Sequence, residues 1–281
     1  MSTSMKRFSG KTAVITGSGR PKGLGEAIAR RLAEDGANIV ISDIGRSRDA
    51  ATSAEHVGLA NEMESTAKTL RELGGNVSTC VADVRDREAM RALAAHAVAE
   101  HGGLDIWVNN AGIGYIMSPL LDVTEDDWRA VIDVNLTGCF WGLQSAAETM
   151  IANNTKGRII NVASQAAKSG FPFAQAYCSS KHGLVGLTRS ASMELGAHGI
   201  TVNNVCPNHV TTGLGAWQNK FTAKELGLTQ DEYMDRMRAR IPMRRVGLPQ
   251  DTANAVAFLC SEDAGYITGE SLNVSGGEEP H

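Results

Sequence analysis

A short apolar run, Thr12-Ala-Val-Ile-Thr16, breaks into Gly17-Ser-Gly-Arg-Pro-Lys-Gly23-Leu-Gly25 and then into a helical stretch closed by Gly36. Strand, glycine-rich turn and helix in that order leave few folds open. Glycines let a backbone approach a pyrophosphate, and the free N–H groups of a helix start face the anion. Taken alone, such a turn also fits a tight β–α connection with no ligand. The alternation continues along the chain. Apolar runs at 38–42, 77–82, 104–108, 158–163, 200–205 and 271–275 are separated by helical stretches at about 59–73, 87–101, 124–153, 175–198 and 249–260. Alternation of this kind predicts an α/β chain with a parallel sheet covered on both faces.

The chemistry-bearing residues fall just after the strands: Gly17, Asp43, Asp83, Asn110, Ser164 and Pro207. In an open α/β sheet those strand ends line one crevice, where ligands bind. Asp43 stands about twenty residues past the glycine turn, where a carboxylate can accept from adenosine ribose hydroxyls and repel a 2′-phosphate. That favours NAD over NADP as cofactor, although Arg20, Lys22, Arg46 and Arg48 are close by. A strand-end aspartate capping a turn is the plainer reading of Asp43.

Tyr177 and Lys181 are four apart in a helical stretch and share a face. An ammonium beside a phenol favours the phenolate and lowers its pKa. Ser164 could hold a carbonyl oxygen while the tyrosine moves a proton. Asn135 lies inside a helix, where asparagine has poor propensity.

Bulk properties exclude several classes. Of 281 residues, 42% are apolar and 21% charged, with net charge −4, so a soluble globular chain is expected and neither nucleic acid nor an anionic membrane surface is. The N-terminus lacks the apolar core of a signal peptide, and no apolar run is long enough to span a bilayer. Cys80, Cys139, Cys178, Cys206 and Cys260 form no C-x-x-C pair, which suggests reduced thiols and a cytoplasmic location. The histidines form no ligand cluster, so no metal is expected. Without repeats or linkers, residues 1–281 are read as a single domain with a substrate lid at about 211–245. The polar segment 45–60 is read as a surface excursion with solvated charges.

With these residues in place, the chain resembles the short-chain dehydrogenase/reductase family in its single-domain, shorter-subunit branch. The resemblance runs from Gly10 to Gly277. It rests on Thr16-Gly17…Gly23-Leu-Gly25, Asp83-Val84, Asn109-Asn-Ala-Gly112, Asn135, Ser164, Tyr177-x-x-x-Lys181 and Pro207…Thr212. It implies a Rossmann-type doubly wound sheet of about seven strands, ordered 3-2-1-4-5-6-7.

By that resemblance, Tyr177 is the general acid/base and Lys181 lowers its pKa and binds the nicotinamide ribose. Ser164 holds the substrate oxygen, and Asn135 supports a water linking Lys181 to solvent. Gly17, Ser18, Arg20, Lys22, Gly23, Leu24 and Gly25 form the pyrophosphate turn. Asp43 and Ile44 meet the adenosine ribose, Asp83 and Val84 flank the adenine, and Asn110, Ala111 and Gly112 line the ribose. Val210 and Thr212 fix the carboxamide, and Pro207 is a further cofactor contact. Gln165, Phe171, His209, Leu214 and Trp217 are candidate substrate contacts, with Trp217 alternatively a lid residue packing on the body.

Two departures from the family pattern stand out. Five residues, Ser18 to Lys22, separate Gly17 from the Gly-x-Gly, where the family has three. Pro207 is followed by Asn208, a residue able to replace the usual glycine at positive φ.

The expected function is NAD-dependent interconversion of a secondary alcohol and its ketone. A 3-oxoacyl thioester reductase, and a dinucleotide-sensing protein without catalysis, are the alternatives. The resemblance further implies a homotetramer or homodimer, paired through the helices at about 125–153 and 175–198 and the last strand.

Overall fold

The computed structural model describes residues 6–49 and 57–279. Seven strands form one sheet: β1 (Thr12–Thr16), β2 (Asn38–Asp43), β3 (Val77–Val81), β4 (Ile106–Asn109), β5 (Arg158–Val162), β6 (Thr201–Pro207) and β7 (Ser271–Val274). Their order is β3-β2-β1-β4-β5-β6-β7, and every pairing is parallel. Order and direction match the expectation.

Nine α-helices are described: α1 (Leu24–Glu34), α2 (Ala60–Glu72), α3 (Arg87–His101), α4 (Glu125–Ile132), α5 (Gly138–Ala152), α6 (Gln175–Leu195), α7 (Gly213–Glu225), α8 (Gln230–Arg240) and α9 (Pro249–Cys260). Alternate strand residues feed two cores. Ala13, Ile15, Ile39, Ile41 and Ile160 pack with α1, α2 and α9. Val14, Val40, Trp107, Ile159 and Val202 pack with α3 and α5 on the other face. A one-residue slip of any strand would exchange the two sets, so burial on both faces fixes the register.

Polar side chains also cross the sheet inside the second layer. Trp107 Nε1 donates to Asn109 Oδ1 (2.7 Å), Asn109 Nδ2 to Asn161 Oδ1 (2.8 Å) and Asn161 Nδ2 to Thr188 Oγ1 (2.9 Å). Thr188 Oγ1 then donates to Asn204 Oδ1 (2.7 Å), and Asn204 Nδ2 to Ser271 Oγ (2.9 Å). Asn109, Asn161, Asn204 and Ser271 are register partners on β4 to β7. Their row ties four strands and α6 together with every donor pointing the same way.

Two local expectations are corrected. The helix expected from 124 to 153 is continuous but contains a π-helical turn at Asp133–Thr137, so α4 and α5 are its two halves. Such a turn re-aims the side chains it carries, here Asn135.

The segment 45–60 is not simply a solvated excursion. Residues 50–56 lie outside those described. The ends on either side are engaged. Arg48 pairs with Asp83 (3.3 Å) and Asp49 with Arg85 (2.7 Å). Val57 and Gly58 are buried, and Gly45 and Leu59 form a parallel bridge. The strand-end carboxylates attract the arginines, and the buried backbone of 57–59 finds its partners at the end of β2.

Candidate active site

The carboxyl ends of the strands open into one cavity of about 860 Å³. At one end β1 hands over to the glycine turn. Gly17 takes φ 64°, and a Cβ there would sit 2.6 Å from Ala111 Cα. A Cβ on Gly25 would sit 2.5 Å from Gly17 O and 2.6 Å from Asn110 Nδ2. These are backbone approaches that only glycine allows. Gly23 precedes α1 with no side chain capping it, so the first-turn N–H groups remain available to an anion. The cradle fits a pyrophosphate.

The long turn resolves the first departure. Ser18 is fully buried and lines nothing, a correction to its expected cofactor contact: its Oγ donates to Ile15 O (2.7 Å) and accepts from Ser42 N–H (3.2 Å), bracing β1 against β2. Gly19 N–H is taken by Asp43 Oδ2 (3.0 Å), so it is not free for phosphate. Residues 20–23 then make a turn, with Lys22 at φ 60° and Gly23 N–H on Arg20 O (3.3 Å). Arg20, Lys22, Gly23 and Leu24 line the cavity.

Asp43 caps a turn, as the plainer reading of it required. Its carboxylate accepts from the N–H groups of Gly19 (3.0 Å), Ile44 (2.9 Å) and Gly58 (3.0 Å), which pins the glycine turn to the segment before α2. A carboxylate has about four acceptor positions, so about one is left toward the cavity that Asp43 and Ile44 line. Burial pushes its carboxyl up, against the pull of those N–H groups and of Arg20. Asp83, which lines the same end with Val84, is held down. Burial alone would raise it, but the bonds from Arg85 and the charge of Arg48 outweigh that.

Mid-cavity, Ser164 ends β5 in an extended conformation and caps a short turn, its Oγ accepting from Ala166 N–H (3.1 Å). Tyr177 and Lys181 rise from the first two turns of α6 on one face and line the same space. Burial pushes the Tyr177 phenol up, and the neighbouring Ser164 side chain pulls it partly back. The downward shift expected from Lys181 is not found. The ammonium lies 5.7 Å from the Tyr177 ring centroid and donates to Val162 O (2.8 Å). Burial pushes Lys181 itself down, because among the described residues no carboxylate faces it.

Asn135 is fully buried and outside the cavity wall. Its Oδ1 accepts from Ile113 N–H (2.8 Å), and its Nδ2 donates to Ile113 O (2.9 Å) and Ser180 Oγ (3.2 Å). Ser180 Oγ in turn donates to Tyr177 O (2.7 Å). The loop carrying Asn110, Ala111 and Gly112 is thereby bolted to the helix carrying Tyr177 and Lys181. Sequence reasoning missed Ser180, since a serine bonding back three residues inside a helix leaves no spacing signal.

Over the far end, residues 211–245 fold as α7 and α8. Thr212 caps α7, and Gln218 Nε2 hooks it to Gly114 O (2.8 Å). Gln165, Phe171, Pro207, His209, Val210, Thr212 and Leu214 line the cavity as expected. Trp217 does not. It stacks on Phe221 (5.4 Å, 11°) and meets Tyr115 edge-on, so it packs α7 against the loop after β4, and Gln218 one residue on is the lining residue.

The second departure also has an answer. Asn208 does not take positive φ; His209 does, at 33°. The Asn208 side chain is drawn instead to Glu278, to which its Nδ2 donates. His209 faces Glu278 too (3.8 Å), and burial pushes its imidazole down against that carboxylate's pull. Glu278 and Glu279, from the tail after β7, were not anticipated at the site, because distance along the sequence hid them.

A family model described as enoyl-(acyl carrier protein) reductase matches residues 17–279. The chain is a member of the short-chain dehydrogenase/reductase family. It is 34% identical over 267 residues to the 3-oxoacyl-[acyl-carrier-protein] reductase FabG of Staphylococcus aureus, covering 95% of this chain and 97% of that protein. It is 35% identical over 273 residues to the L-2,3-butanediol dehydrogenase of Corynebacterium glutamicum, covering 95% and 98%. Among solved structures, carveol dehydrogenase from Mycobacterium avium in complex with NAD superposes with TM-score 0.89 at 31% identity, covering 98% and 100%. A single-residue variant of actinorhodin polyketide ketoreductase with NADPH gives 0.85 at 33% identity, covering 96% and 98%. This short-chain dehydrogenase/reductase thus has the fold and family of oxidoreductases that act on alcohol and carbonyl groups.

Proposed function

We propose that the protein interconverts a secondary alcohol and its ketone with NAD. The observation that carries this is that Ser164, Tyr177 and Lys181 line one cavity together with the glycine cradle. The cradle at Gly17, Gly23 and Gly25 would seat the pyrophosphate, and Asp43 the adenosine ribose. Val210 and Thr212 would hold the carboxamide.

When bound, the oxidised nicotinamide supplies the acceptor for the hydride that leaves the alcohol carbon. Ser164 holds the alcohol oxygen by a hydrogen bond. Tyr177, as phenolate, takes the hydroxyl proton as the carbonyl forms, and gives it back in the reverse direction. Lys181 supplies positive charge beside the phenolate. Asn135 keeps Tyr177 and Lys181 in register with the loop after β4. In oxidation the alcohol loses one hydride and one proton, and the proton passes from Tyr177 to solvent.

The likeness to FabG favours a second reading, reduction of a 3-oxoacyl thioester. Asp43 argues against that reading, if the reductant is NADPH. A panel of secondary alcohols with NAD, and of oxoacyl thioesters with NADH and NADPH, separates the two. Turnover should appear on the alcohols and vanish in Tyr177→Phe, which keeps the ring but not the proton. A Tyr177→Phe enzyme with full rate would overturn the mechanism.

The exposed apolar residues Phe140 and Ile151 on α5 and Met193 on α6 support the tetramer or dimer proposed from the resemblance.

A further inference from the structure

The tail after β7 is folded into the substrate end of the cavity. Glu278 has a side chain only 6% exposed and ties the tail to two segments: Arg240 at the end of α8 (2.9 Å), and Asn208 and His209 after β6. The next residue is held by its own backbone. Glu279 O accepts from Asn273 Nδ2 (2.6 Å) and Ser275 Oγ (3.2 Å), and Glu279 N–H donates to Ser275 Oγ (3.3 Å). Its carboxylate is therefore aimed, not loose. It lines the cavity and accepts from Gln165 Nε2 (3.1 Å). Gln165 directly follows Ser164 in the chain, and Ser164, Gln165 and Glu279 line the same cavity.

We propose that Glu279, braced by Gln165, is the specificity-determining residue of the site and selects alcohols that carry a second hydroxyl beside the reacting carbon. The inference rests on the alcohol–ketone reading above. A carboxylate only accepts, so it rewards a substrate hydroxyl that would otherwise be buried without a partner. It penalises a substrate anion by like charge. The cation that could counter this, Arg240, is already paired with Glu278. A donor-free alcohol would set apolar surface against the Glu279 carboxylate and leave it no bond beyond the one from Gln165, the kind of mismatch that discriminates strongly.

The test compares kcat/KM with NAD for 2,3-butanediol, 2-butanol and the anion 3-hydroxybutyrate, in wild type, Glu279→Gln and Glu279→Ala. In wild type the diol should exceed 2-butanol by about 10–100-fold, the size expected for a hydrogen bond to a charged group. The diol to 2-butanol ratio should fall by about 10-fold or more in Glu279→Ala. It should fall less in Glu279→Gln, which keeps an acceptor, while 3-hydroxybutyrate gains in both variants. Diol and 2-butanol falling together would mean the tail is merely structural, and an unchanged ratio would equally overturn the proposal. Calorimetric titration of each NAD-saturated protein with the diol reads selection without turnover. Diol binding by wild type that is lost in Glu279→Ala supports the proposal even if no alcohol is oxidised, a result that would strike the alcohol–ketone reading alone. Equal binding by both proteins, or none by either, overturns the selection itself.

Discussion

Asn135 Nδ2 donates to Ser180 Oγ across 3.2 Å, joining the π-helical turn between α4 and α5 to α6, the helix that carries Tyr177 and Lys181. The same amide clasps both backbone groups of Ile113. One side chain thus satisfies the loop after β4 and fixes the helix opposite it. Asn135→Ala would leave Ile113 N–H and C=O buried without partners, at about 1–3 kcal/mol. Asn135→Asp keeps an acceptor for Ile113 N–H and loses the donor to Ser180. We expect kcat to fall in both variants while dinucleotide affinity changes little. Stopped-flow hydride transfer beside NADH fluorescence titration checks this. Loss of affinity equal to the loss of rate would show that Asn135 serves the cofactor loop alone.

Lys181 is a buried cation whose Nζ has a carbonyl, Val162 O, in place of a counter-ion. Burial depresses its folded-state pKa below the unfolded value of about 10.4. The unfolded chain therefore holds more protons between those two values, and stability from this group rises with pH across that window. Below it, the charge costs the fold. Lys181→Met, similar in volume, should abolish turnover yet raise Tm at pH 7 in the absence of dinucleotide. The gain should shrink as pH climbs toward 10. Thermal scans from pH 6 to 10 read both effects. A variant less stable at pH 7 would show that the Val162 bond outweighs the desolvation.

The buried amide row gives a different expectation. Removing Asn161 leaves Asn109 Nδ2 with Cys139 O alone, one N–H unpaired, and leaves the Thr188 Oγ acceptor position empty. Asn161→Leu should cost about 2–4 kcal/mol, from two unsatisfied partners rather than one. Chemical denaturation measures this, and Asn161→Leu combined with Thr188→Val should recover part of it. No recovery would mean that the loss comes from packing.

The sheet was readable because each strand is a short apolar run between turn residues, and because parallel strands buried on both faces need no polar alternation. Gly17, Gly25, Ser164, Tyr177 and Lys181 were readable for a related reason: strand ends share one edge, so residues far apart in sequence converge by topology. What stayed hidden depends on contacts that topology does not dictate. Ser18 sits in the glycine turn but points inward to β2, a choice of rotamer and turn path. Asn208 looked suited to positive φ, yet a carboxylate seventy residues later captures its side chain and passes the strain to His209. Trp217 and Gln218 are neighbours on α7, and only the helix's rotation decides which one faces the cavity. Glu279 has no motif at all, since its role comes from where the chain finishes after β7.

The cofactor preference turns on the position left open at Asp43. Three of its acceptor sites hold the N–H groups of Gly19, Ile44 and Gly58, and the remaining one would meet a ribose hydroxyl. A 2′-phosphate would face that carboxylate at a distance where like charges repel, although Arg20 and Lys22 line the same cavity and offer some compensation. Wild type should therefore bind NADH more tightly than NADPH. Asp43→Asn removes the charge and keeps one oxygen for the backbone donors, so the preference should narrow by about 10-fold or more. Its amide N–H₂ cannot replace the second acceptor, and either Gly19 or Gly58 loses a partner, so Tm should fall in the same variant. Fluorescence titration of NADH and NADPH against both proteins decides it. If wild type takes NADPH at least as tightly as NADH, the aspartate acts as a structural clasp for the glycine turn and Arg20 sets the cofactor.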